Sequence, residues 1–154
     1  MKKYEDKLSN FLKENNSDAE ILIFDKSCHS VNEASEAANV DPTDFIKSIC
    51  LIDLNGTLII AIVKGEDRAS TTKISKILNI VKPRVAKPEE MLEKTGYPCG
   101  GTPPFGYKAI FFIDPKVMEK ETVYGGGGSE YSLVKVSSKE LKRLNNGKIL
   151  RIAK

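Results

Sequence analysis

Between Thr95 and Gly106 the chain places four glycines and three prolines in twelve residues, Thr-Gly-Tyr-Pro-Cys-Gly-Gly-Thr-Pro-Pro-Phe-Gly. Proline lacks an amide donor and fixes φ, and glycine weakens regular elements through its backbone freedom. The stretch can therefore be neither a helix interior nor a central strand. It must be a loop, and a stiff one. Two readings fit such a loop taken alone: a structural connection, or a surface that presents backbone groups to a ligand.

The flanking elements bound what can hold this loop. Tyr4, Leu8, Phe11 and Leu12 mark an amphipathic helix that ends near Asn15-Asn16. Ile21–Phe24 reads as a buried strand. Ser30-Val31-Asn32-Glu33 has the capping-box pattern and opens an alanine-rich helix that stops around Val40–Pro42. Ile46–Leu54 and Thr57–Val63 flank Asn55-Gly56, a strong hairpin signal. Alternation puts Lys47, Ile49 and Leu51 on one face of the first of these strands and Ser48, Cys50 and Ile52 on the other. Both faces are largely apolar, which predicts a central strand.

Ser70 can cap a helix carrying Ile74, Ile77 and Leu78, and Val81–Ala86 can form a short strand. Pro88-Glu89-Glu90 opens a further helix, with Gly96 as its left-handed cap. After the loop come a strand at Ala109–Ile113 and a brief turn or helix at Val117-Met118. Strands at Glu121–Tyr124 and Tyr131–Ser137 follow, with Gly125–Gly128 between them as a flexible hairpin loop. A helix capped at Ser137 and a strand at Ile149–Ile152 close the chain. Helices and strands mix without strict alternation, which favours α+β over a doubly wound sheet.

Length and composition narrow the class. A chain of 154 residues, 40% hydrophobic and 29% charged, fits one soluble domain, with residues 1–154 forming a single unit. No apolar run is long enough to span a bilayer, and the first residues lack a signal-peptide pattern, so a cytoplasmic location is expected. A net charge of +3 permits contact with a polyanion but is far from that of a nucleic-acid coating protein. Three widely spaced cysteines, Cys28, Cys50 and Cys99, and a single histidine predict neither a disulfide framework nor a metal site.

Among groups that could carry chemistry, Lys47 stands out. An ammonium at the head of a core strand either finds an anionic partner or snorkels to water; in the first case it can bind phosphate or stabilise an oxyanion. Gly125–Gly128 followed by Ser129 could form a nest of amides but lacks the lysine of a phosphate loop. Cys50 and Cys99 have no adjacent base. His29 reads as a loop residue rather than a base, and Glu66-Asp67 as a solvated turn.

Taken together, these residues resemble the YbaK family of aminoacyl-tRNA deacylases, relatives of the editing insertion of bacterial prolyl-tRNA synthetases. The matching elements are Glu33-Ala34 with Glu36–Ala38, Phe45–Ser48, Thr95–Tyr97, Gly100–Gly106, Ile113-Asp114, Tyr124 with the glycines after it, and Ser137–Leu141. The resemblance implies a compact α+β domain, a mixed and largely antiparallel sheet or partly closed barrel surrounded by helices. It also implies hydrolysis of the ester that joins a wrong amino acid to the 3′ end of tRNA.

Lys47 matches the family's essential lysine, and Gly100 and Pro104 match the ends of its Gly-x-x-x-Pro loop, with Gly101 adjacent. Lys47, Gly100 and Gly101 are then the expected catalytic set. Phe24, Ser48, Pro103, Pro104 and Ser129 are the expected substrate-binding set. No metal or cofactor is implied. The implied partner is the acceptor end of aminoacyl-tRNA, with prolyl-tRNA synthetase as a further candidate and a monomer or weak dimer as the assembly. A non-catalytic module that binds a tRNA end, a nucleotide or a partner protein in the same groove remains the alternative.

Overall fold

A computed structural model describes residues 2–154; Met1, the first residue of the expected domain, lies outside them. The strands form two sheets. In the larger, β2 (Ile46–Ile52) and β3 (Leu58–Lys64) pair antiparallel, β5 (Ile110–Ile113) joins β3 in parallel, and two short strands close the edges. These are β4 (Arg84–Val85) beside β2 and β8 (Lys148–Ile149) beside β5. The smaller sheet is antiparallel, with β7 (Ser132–Ser137) between β1 (Glu20–Ile23) and β6 (Thr122–Gly126). A bridge between Phe45 and Tyr124 joins the two sheets.

Both faces of the large sheet are covered, which is why β3 is apolar at almost every position. Ile46, Cys50, Ile52, Ile60 and Ile62 face a core shared with the small sheet. Three helices pack there: α1 (Lys3–Glu14), α4 (Pro88–Thr95) and α6 (Ser138–Asn145). Leu51, Ile59, Ala61 and Val63 face α3 (Thr71–Leu78) and the C-terminal Ile152. The predicted alternation along β2 is therefore correct. A third cluster, Cys28, Ala34, Phe45 and Leu133, lies under α2 (Val31–Ala38).

The capping signals are realised. The Ser30, Ser70 and Ser137 hydroxyls accept from the amides three residues on, at 3.1 Å each. Asn39, Asn79 and Asn146 take left-handed conformations at the ends of α2, α3 and α6. The turn between β2 and β3 is wider than a two-residue hairpin. The Asp53 carboxylate accepts from Asn55 N (2.8 Å) and Thr57 N (2.9 Å), and only Gly56 takes positive φ.

Three expectations are corrected. β2 is not central along its whole length: β4 covers only Leu51 and Ile52, and the rest of that edge is open to a cavity. Gly125–Gly128 is not a flexible loop, because Gly125 and Gly126 pair with β7 and the next two amides donate to Ser132 O and Gly101 O. The last strand is β8, not Ile149–Ile152. Ile152 N and Ala153 N instead donate to the buried Asp114 carboxylate, at 3.1 and 2.9 Å, which pulls the chain end off the sheet. The short α5 (Pro115–Met118) follows that aspartate.

Candidate functional site

The segment Pro98–Gly106 is held rigidly. Gly101 N and the Thr102 hydroxyl donate to Pro98 O at 3.2 and 3.1 Å, closing a tight turn. The Tyr107 hydroxyl donates to Pro103 O (2.6 Å) and Asn145 Nδ2 to Pro104 O (3.0 Å), so those carbonyls are turned into the protein. Phe105 is fully buried and stacked on Phe11. The loop lies directly on β6. A methyl group at Gly126 would sit 2.4 Å from Thr102 O, so only glycine allows this approach.

Beside the loop is a cavity of about 340 Å³, within the range of small-ligand sites. Cys99, Gly100 and Thr102 form one wall, Gly125 and Gly126 another, and the segment Cys28–Val31 before and at the start of α2 a third. The fourth is the edge of β2, where five consecutive residues, Phe45–Ile49, line the space. Strand geometry explains this run. Gly65 N donates to Phe45 O at 2.8 Å and Asp53 N to Thr57 O at 3.2 Å, which fixes the odd-numbered residues as those bonded to β3. Even-numbered residues direct their backbone groups the other way, and Ala86 N takes Cys50 O at 2.8 Å. Beyond the reach of β4, the backbone edge at Ser48 faces the cavity.

Of the expected site residues, Lys47, Ser48 and Gly100 meet on this cavity. Lys47 is half-buried, and among the described residues no carboxylate forms an ion pair with its ammonium. Gly100 has φ of +89°, a conformation that favours glycine.

The others lie behind the wall. Gly101 has its amide engaged by Pro98, and its α-carbon presses on the Ser129 backbone. Pro103 and Pro104 are buried. Ser129 donates its hydroxyl to Glu5 on α1 and accepts from Tyr131 N at 3.1 Å, which ties the turn after β6 to the first helix. Phe24 packs against the Cys28, Ala34, Phe45 and Leu133 cluster and supports the cavity without lining it.

Sequence reasoning set aside His29, yet it lines the cavity. Phe24 N donates to Tyr131 O at 2.8 Å, which carries the chain along β7 toward the Ser30 cap, and His29 comes immediately before that cap. Its ring rests against Gly100: a methyl group there would lie 2.3 Å from Nδ1 and 2.7 Å from Cε1. The signal available in the sequence was a lone imidazole next to a capping serine. The two buried thiols, Cys28 and Cys50, are poorly placed for nucleophilic chemistry. Burial, with Glu33 adding, raises the Cys28 thiol, and burial with Cys99 nearby pushes Cys50 up to about 12.

Comparison with known proteins bears on the family and the fold. The sequence profile of the aminoacyl-tRNA editing domain matches residues 25–144. The chain belongs to that family. As an editing-domain protein it is 26% identical over 136 residues to the uncharacterized protein YwhH of Bacillus subtilis (strain 168), covering 87% of this chain and 86% of that one. It is also 28% identical over 116 residues to a proline–tRNA ligase of Pseudothermotoga lettingae, covering 73% of this chain but only 20% of the ligase.

Among solved structures, hypothetical protein APE2540 superposes with a TM-score of 0.88 at 25% identity, covering 96% of this chain and 99% of that one. A structure described as a candidate trans-editing enzyme for prolyl-tRNA synthetase superposes at 0.90 and 22% identity, covering 98% and 97%. This second likeness is one of fold. Editing-domain membership agrees with an α+β fold and implies interaction with aminoacyl-tRNA. No helix among the described residues is long and apolar enough to cross a membrane.

Proposed function

We propose that this editing domain is a hydrolase acting in trans. It removes a small, wrongly attached amino acid (cysteine, alanine or serine) from tRNA, with tRNA for proline the principal substrate. The observation that carries the reading is Lys47, half-buried on a cavity it shares with Gly100, its ammonium without a carboxylate partner among the described residues. Such a charge is poised to receive an anion. In ester hydrolysis that anion is the oxygen of the tetrahedral intermediate or a phosphate of the terminal nucleotide. The volume, near the low end for ligand cavities, favours a small aminoacyl group. Kinship with part of proline–tRNA ligases supports the choice of tRNA.

An aminoacyl ester is already activated, so positioning and charge stabilisation supply most of what the reaction needs. The amide of Gly100 and the outward backbone edge at Ser48 are candidates to orient the aminoacyl group, with the rigid Pro98–Gly106 turn fixing one side of the cavity. Gly101, Pro103, Pro104, Phe24 and Ser129 act through packing in this scheme.

The test is deacylation of Cys-, Ala- and Ser-charged tRNA for proline by the wild type and by Lys47→Ala. Hydrolysis of at least one by the wild type, lowered by roughly 10²–10³-fold in the variant, is the expected outcome. No hydrolysis of any of them would sink the deacylase reading, and tight binding with an unchanged ester lifetime would make the cavity a binding module.

A further inference from the structure

Water attacking an ester carbonyl must give up a proton, and few groups on this cavity can take one near neutral pH. Its lining carries an ammonium, an imidazole and thiols: Lys47, His29, Cys28 and Cys99. An ammonium is not a base, and the Cys28 thiol is held protonated by its burial. His29 lines the cavity and rests on Gly100. A methyl group at Gly100 would meet the Nδ1–Cε1 edge of the ring first, so Nε2 is the ring nitrogen farther from that residue. The residue is exposed, and neither ring nitrogen bonds to another described residue.

We propose that His29 is the general base of the deacylation, acting on a water held between its Nε2 and the aminoacyl carbonyl. The inference rests on the deacylase reading above. As the water oxygen bonds to the carbonyl carbon, one of its O–H bonds breaks and that proton passes to Nε2. The carbonyl π pair moves onto oxygen, where the Lys47 ammonium stabilises it. Collapse restores the C=O bond and breaks the bond to the ribose oxygen, which takes the proton back from the imidazolium. The products are the free amino acid and tRNA with an intact terminal hydroxyl. Lys47 from β2, Cys99 from the loop, Cys28 beside the ring and Glu33 in the first turn of α2 are the charged or titratable groups around it. Gly100 thus serves as the surface against which the base is held, a use of that residue independent of its amide.

The experiment is single-turnover deacylation across pH 5–9, using the charged tRNA that the wild type hydrolyses best, with wild type, His29→Gln, His29→Gly and Lys47→Ala. For the wild type the rate should rise with pH as the base loses its proton. His29→Gln should lose that rising limb and fall by roughly 10²–10⁴-fold in the chemical step with little change in KM. Added imidazole should restore part of the rate to His29→Gly and none to Lys47→Ala.

A His29→Gln enzyme within about threefold of wild type that keeps the rising limb overturns the proposal. A slow His29→Gln enzyme that keeps that limb, with a His29→Gly enzyme not rescued, overturns it equally and leaves His29 a packing residue. If Lys47→Ala is inactive while His29→Gln is active, only the base assignment fails. A wild type that hydrolyses no charged tRNA removes the deacylase reading and this inference together.

Discussion

Two lysines on one hairpin show how neighbours decide what a charge can do. Lys64 at the end of β3 lies across from Ile46, and Lys47 on β2 lies across from Val63, so the two point to opposite faces of the sheet. Lys64 is almost fully buried, and its ammonium is consumed by Thr43 O and by Glu66 at 3.3 Å. It borders a second cavity, of about 440 Å³, where Lys116 pairs with Asp67 at 3.6 Å and Lys120 with Asp44 at 3.0 Å. Lys47 borders the apolar cavity beside the Gly/Pro loop, where no such compensation is present among the described residues. Burial alone would have favoured Lys64 as the functional lysine. Unspent charge next to an apolar space favours Lys47.

The largest expected effect separates the two directly. Lys47→Ala should lower kcat/KM for deacylation by roughly 10²–10³-fold, the usual cost of removing one oxyanion stabiliser, with little change in melting temperature. Lys64→Met should do the reverse, leaving deacylation per folded molecule unchanged while costing about 1 kcal/mol of stability from the lost bond to Thr43 O. Equal losses of activity in both variants would erase the distinction. Parallel kinetics and denaturant melts read both quantities.

The next effect concerns the wall that gives Lys47 its cavity. In Gly126→Ala the new methyl meets Thr102 O at 2.4 Å and Gly101 O at 2.9 Å, both backbone atoms of the rigid turn, so the loop itself must move. A cost of about 3 kcal/mol, the upper range for overpacking, is expected in chemical denaturation. Deacylation per folded molecule should fall as well, because Gly100 and Thr102 are displaced with the loop. A stable and fully active variant would show that the loop is more compliant than its hydrogen bonds imply.

The sequence carried much of this fold because many of its signals are local. Capping serines, the left-handed Gly96 cap and the alternation along β2 each depend on a few adjacent residues, and each is realised. What escaped depends on partners far along the chain. The open edge of β2 exists because β4 is only two residues long, and nothing within Ile46–Ile52 encodes that. Gly125–Gly128 announced permissive backbone but not the Thr102 and Gly101 carbonyls that require it. The site divided in the same way. Lys47, Ser48 and Gly100 carry recognisable local signals and do meet on the cavity, whereas Gly101 and Ser129, equally prominent in sequence, turn out to hold each other and α1. His29 was passed over as a cavity residue because its place there depends on resting on Gly100, a contact between segments distant in the chain.

The smallest effect tests the compensated region by pH. Asp114 lies next to the paired charges on Lys116 and Asp67, buried, with its carboxylate accepting from Lys116 N, Ile152 N and Ala153 N. Burial acts to raise its pKa, but the amides of Ala153, Lys116 and Ile152, with the Lys116 charge, outweigh burial and hold it below the ordinary value. A folded-state pKa depressed in this way contributes stability that is fully present above the unfolded value, about 3.9, and is lost as pH falls through the lower folded value. Asp114→Asn keeps one acceptor oxygen and sets an amide donor against a backbone N–H. It should cost about 1–2 kcal/mol at pH 7 and lose part of the wild type's decline below about pH 4. Deacylation per folded molecule should not change, since Asp114 does not line the apolar cavity. Denaturant melts at pH 7 and pH 3 measure the first two, and an acid decline identical in the variant would mean that other carboxylates, not Asp114, govern the acid limb.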